Sequence, residues 1–149
     1  MGCGSGSVPK SSAKMNTDIA AQKALDRLAK AGFEQLTDLD KILAAVWTFE
    51  AGVANRGFAR YFSSSAGDMA FHVPSALRAI GAVGTAEIAA KANGVFGASG
   101  PPKDKKKRAA IVRSFDDDIR KMLQALETLF YESEENVDDL LEVYLNRKP

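Results

Sequence analysis

The chain is short of the side chains that carry most chemistry at neutral pH. It has one cysteine, Cys3, and one histidine, His72. A single cysteine excludes an internal disulfide, and one cysteine with one histidine leaves no set for a Cys/His zinc site. No apolar run approaches the roughly 20 residues that span a bilayer, and the N-terminus lacks the apolar core of a secretory signal. A cytoplasmic protein is expected. No Gly-rich loop ends in Gly-Lys-Ser or Gly-Lys-Thr, and nothing resembles the nucleophile elbow of a serine hydrolase. An excess of charge is missing too. Twenty basic residues face 19 acidic ones, and a nucleic-acid binder usually has a clear basic surplus. Alternating strand patterns and internal repeats are also absent. Catalytic residues, metal ligands and cofactors are therefore not expected, nor is a small-molecule substrate.

What is present is a chain of 149 residues, enough for one domain with its own core. Residues 1–14, Gly/Ser-rich and without apolar periodicity, read as a disordered leader before a helical domain over 15–149. Met15 leaves open that the first fourteen residues are an appended leader. Gly2-Cys3 suggests dual acylation, but the strict pattern wants Ser or Thr where Gly6 stands.

Helical signals begin at Asn16. Ile19, Leu25 and Leu28 keep helical spacing up to a stop at Gly32. Thr37 with Asp40 opens a second helix, whose stripe is Leu39, Ile42, Leu43, Val46, Trp47 and Phe49, and Asn55-Arg56-Gly57 ends it. Phe58 to Phe62 reads as a short helix, residues 63–68 as a loop and 70–80 as a helix. Thr85 is the expected cap of the next helix, with Ile88, Val95 and Phe96 inward, and Pro101-Pro102 breaks the chain. Ser114 with Asp117 opens a helix that runs through Ile119, Met122, Leu123, Leu126, Leu129 and Phe130. A last helix follows Ser133, with Val137, Leu140, Leu141, Tyr144 and Leu145 inward. The fold class is all-α: one domain of six to seven short helices in an irregular bundle. Trp47, Phe58, Phe62, Leu77, Ile80, Leu126, Phe130 and Leu141 should be largely buried.

Three segments are candidate sites. The first is acidic. Residues 114–149 carry a net −6, and Glu135, Asp138, Asp139 and Glu142 fall on one face of the expected last helix. Such a strip suits a basic protein partner, although a merely solvated helix face has the same pattern. The second is basic. Residues 103–113 carry a net +5, including Lys105-Lys106-Lys107-Arg108. Lacking interleaved aromatics and following Gly100-Pro101-Pro102, this run reads as a flexible loop more than as a nucleic-acid or membrane surface, with a turn to helix from Asp104 to Val112 as the alternative. The third is Asp68 with His72, beside Ser63, Ser64 and Ser65. A hydrolase site can be imagined there. The plainer reading makes Asp68 a helix cap and His72 part of the first turn.

Two stretches resemble a known family. Residues 55–68, Asn-Arg-Gly-Phe-Ala-Arg-Tyr-Phe-Ser-Ser-Ser-Ala-Gly-Asp, are similar to its signature, in which Asn-Gly-Gly-Phe leads through Gln-Tyr-Phe to a Ser-Gly-Asp turn. Residues 76–82 with Thr85-Ala86-Glu87-Ile88, and the closing segments 129–132 and 140–145, fit its later helices in order. The family is the bacterial DNA-mimic protein of the DMP-nineteen type, C-terminal domain, and the resemblance covers about 36–145. It implies an all-helical, cytoplasmic bacterial protein that is not an enzyme. It also implies acidic side chains that imitate DNA phosphates and occupy a basic, DNA-binding regulator.

Overall fold

A computed structural model describes residues 10–147, and it contains helices and turns with no strand among them. Helix α1 (Lys10–Ala31) is followed by α2 (Asp38–Ser63), α3 (Val73–Ala79), α4 (Val83–Asn93), α5 (Lys105–Arg113), α6 (Asp117–Glu132) and α7 (Val137–Arg147). This is the expected all-α domain. Helix α1 starts at Lys10, within the stretch expected to be disordered; residues 1–9, with the acylation reading of Gly2-Cys3, lie outside the described residues.

Helix α2 is the central element, packing against α1, α3, α5, α6 and α7. Its start follows from sequence: the Thr37 side chain accepts from the Asp40 backbone N–H at 3.1 Å. Two polar contacts tie α1 to it. Trp47 Nε1 donates to Asp18 at 2.8 Å, and Arg27 pairs with both oxygens of Asp40 at 2.8–2.9 Å. Gly57 (φ 82°) breaks the helix, so Phe58 to Ser63 runs as a separate short helix in a new direction, as the sequence predicts. That turn brings Phe58, Tyr61 and Phe62 into the core beside Phe49. Edge-on ring contacts continue to Phe130 on α6, at 5.7 Å from Phe49, and to Phe96, at 4.8 Å from Phe62. Phe58, Phe62, Leu77, Ile80, Leu126 and Leu141 are buried, while Trp47 and Phe130 are half-buried against the same core.

Several element boundaries differ from those the sequence predicts. Residues 65–72 form a 3₁₀ turn, and the helix after it is confined to 73–79. Helix α6 is capped by Asp116, which accepts from the Ile119 N–H at 2.9 Å, while Ser114 closes α5. On α6, Leu123 and Leu126 are buried while Met122 and Leu129 are exposed.

Candidate functional site

The acidic C-terminal segment divides into acids that face outward and acids that hold the fold. Asn136 starts α7: its side chain accepts from the Asp139 N–H at 3.1 Å, and its carbonyl accepts from the Leu140 N–H. Val137 and Leu141 are buried, which turns Asp138 and Asp139 outward as exposed residues, with Glu142 half-buried one turn on. Spacings of one, three and four residues place the three carboxylates on neighbouring turns of one face. No Lys or Arg occurs between Glu132 and Asn146. This face therefore gathers three carboxylates within a stretch that has no base of its own.

Glu135 does not belong to that strip. It precedes α7 and reaches across to the start of α4, where one oxygen accepts from the Gly84 N–H at 2.9 Å. The other accepts from Thr85 N at 2.8 Å and Thr85 Oγ1 at 2.6 Å. Ala82, at the cap position of α4, has no side chain that could do this. The expected cap, Thr85, lies inside the helix as a donor. A carboxylate at a helix N-terminus is stabilised by the exposed N–H groups and by the helix dipole. Partial burial pushes the Glu135 carboxyl up, but the hydrogen bonds from Thr85 and Gly84 outweigh it and hold the group below its ordinary 4.5. Glu127 plays the same part at the α2 break, accepting from the Phe58 N–H at 2.8 Å.

The basic segment is helical and not a loop, in line with the alternative reading from Asp104 to Val112. Asp104 caps α5, accepting from the Lys107 N–H at 2.9 Å. Arg108 is fully buried. Its Nε donates to the Phe62 carbonyl at 2.6 Å, one terminal nitrogen to the carbonyls of Pro102 and Lys103, and the other to the Ser64 carbonyl and Asp68 at 2.7–2.8 Å. All five guanidinium donors are therefore used. Lys103 lies over the Phe71 ring at 4.6 Å and within 3.9 Å of Glu34. Lys103, Lys105, Lys106, Lys107 and Arg113 are the basic members of the run that stay exposed. Helical spacing foreshadows Arg108's place: it shares a phase with Ile111, Val112 and Phe115.

Asp68 and His72 are not brought together. Asp68 spends its carboxylate on Arg108 and does not cap the next helix. His72 packs edge-on against Phe33 and lines a cleft of about 280 Å³ with Asp38, Ser75 and Tyr144 among the other walls; Asp68 is not one of them. The Ser75 hydroxyl is 3.4 Å from His72 Nδ1 and 3.1 Å from the His72 carbonyl of its own turn. The carbonyl is the better acceptor, so the geometry is that of a helix serine bonding backward and not of an activated nucleophile. Burial and the nearby Lys41 push the His72 imidazole below its usual range, against the pull of Asp38.

The model of the DMP19-like protein family matches residues 34–148. The chain belongs to that family. No curated protein sequence and no solved structure matches it. In this DMP19-like protein the signature stretch 55–68 is architecture. Gly57 makes the break, Phe58 and Phe62 fill the core, and Ser64 and Asp68 receive Arg108. Gly67 leaves room for it: a Cβ there would lie 2.6 Å from the Tyr61 carbonyl and 3.1 Å from Arg108 Nε. The outward acids lie elsewhere, on α7.

Proposed function

We propose that this protein works by binding another protein in the cytoplasm and catalyses no reaction itself. The observation that carries this reading is the outer face of α7. There Asp138, Asp139 and Glu142 stand close together within residues 132–146, a stretch that has no Lys or Arg. Mutual repulsion at such spacings costs a few tenths of a kcal/mol per pair. A basic partner relieves that repulsion, and opposite charge speeds the encounter. Membership of the DMP19-like family supports the finer reading, in which the partner is a basic, DNA-binding regulator and the carboxylates stand where phosphates would. With a net charge of +1, such mimicry rests on a local face and not on the whole surface.

The test is capture of partners from a lysate of the source cells at two ionic strengths. Exposed charge pairs are screened over about 8–10 Å near physiological salt. Proteins held at low salt and released by roughly 0.5 M salt fit an acidic docking face. A partner set indifferent to salt contradicts it.

A further inference from the structure

Helix α6 is apolar over a wider arc than the core covers. Leu123 and Leu126 are buried and Ile119 and Phe130 pack against the core, but Met122 and Leu129 are 51% and 52% exposed. Single exposed apolar residues are ordinary. These two belong to a row: Asp118, Met122, Ala125, Leu129 and Glu132 follow one another at alternating steps of four and three, and all five are exposed. They form one stripe along the helix, with carboxylates at both ends and apolar side chains between.

The stripe borders a groove. Ile88 of α4 and Leu126 and Leu129 of α6 line a cleft of about 370 Å³, with Glu87 on one wall, Glu132 on the other and Lys91 the cation among the lining residues. We propose that the groove between α4 and α6 is a docking site for an amphipathic helix of a partner protein, apolar in the middle and cationic towards both ends. A cleft between two helices with an apolar floor matches the helix-in-groove mode, in which anchors at three- and four-residue spacing insert between ridges. Asp118, Met122 and Ala125 extend the stripe beyond the lining of the cleft, and from Asp118 to Glu132 is about 21 Å at 1.5 Å per residue, so an occupant that lies in the cleft and runs on along the stripe is about four turns long. The acids at both ends and Glu87 set the charge of that helix. The chain cannot supply the occupant from its own basic helix: the apolar side chains of α5, Val112 and Ile111, are already packed in the core. No α7 residue lines the groove, so this inference and the reading of α7 can fail separately.

The probe is a labelled 16-residue helical peptide with leucines at i, i+3, i+4 and i+7 and lysines near each end, read by fluorescence anisotropy. A scrambled peptide of equal composition is the control. Saturable binding of the helix and not of the scramble is expected. Leu129→Glu, a surface change that leaves the melting temperature in place, weakens binding about tenfold or more, as for a central anchor. Asp118→Asn with Glu132→Gln weakens binding at low salt and matches the wild type at high salt. Equal binding of the scramble, or an unchanged affinity in Leu129→Glu, overturns the proposal. So does a wild-type dimer that Leu129→Glu turns into monomers without binding the peptide, since the occupant is then a second copy.

Discussion

The Glu135 carboxylate accepts both the backbone N–H and the hydroxyl of Thr85, fifty residues earlier in the chain. An acid that sequence spacing assigns to a binding strip is thus the N-terminal cap of another helix. The contact fastens the link between α6 and α7 to α4.

Its first consequence is pH-dependent stability. The Glu135 carboxyl is held below its ordinary 4.5 in the folded protein, so the unfolded state binds the proton more readily. Its contribution is fully present above pH 4.5 and is lost as pH falls through the lower, folded value. Glu135→Gln should lower stability by about 1 kcal/mol at neutral pH, as loss of a cap does. Denaturant titrations at pH 7 and near pH 3 check this: the difference between wild type and variant should shrink at the acid end. A constant difference would mean that the charge of Glu135 plays no part.

Arg108→Lys should cost about 3–5 kcal/mol, the range for breaking a buried charge network. Lysine has three donors where Arg108 uses five, and it cannot reproduce the fork. Asp68 is 47% exposed at its side chain, so water can replace what Asp68→Asn loses, and about 1 kcal/mol or less is expected. Thermal or urea unfolding of the two variants gives the comparison. Equal losses would show that the single Asp68 bond, and not the set of carbonyls, holds Arg108.

Gly57→Ala should destabilise the fold by more than the usual glycine-to-alanine change. Its φ of 82° disfavours a side chain, and a Cβ there would lie 2.8 Å from Glu127 Oε2. That carboxylate is the acceptor for the Phe58 N–H, so yielding to the methyl group breaks a cap. The expected loss is about 1–3 kcal/mol, measured by chemical denaturation. Stability equal to wild type would contradict the left-handed break.

Elements with local causes were legible in the sequence. Thr37 begins α2, Gly57 divides it, and the spacing of Phe58 and Phe62 places them in the core. What escaped was set by partners distant in sequence. Glu135 reads as one more acid until Thr85 is seen beside it. Arg108 reads as the end of a basic run until five acceptors close around it. The width of the apolar arc on α6 was visible, but not which side of it the core would leave uncovered. Of the acidic strip, Asp138, Asp139 and Glu142 stand on one face as their spacing requires, because Val137 and Leu141 anchor the opposite side.

The most direct test of the protein-binding claim neutralises that face. Asp138→Asn, Asp139→Asn and Glu142→Gln, combined in one chain, keep the size of each side chain and remove three charges. The variant should unfold within about 1 kcal/mol of the wild type, since surface changes seldom cost more. At low salt, affinity for a partner captured by the wild type should fall at least tenfold, equivalent to about 1.4 kcal/mol. Glu135→Gln, measured alongside, should alter stability and leave affinity nearly unchanged. Retention of the same partner at the same affinity by the triple variant would contradict the claim that α7 is the binding face.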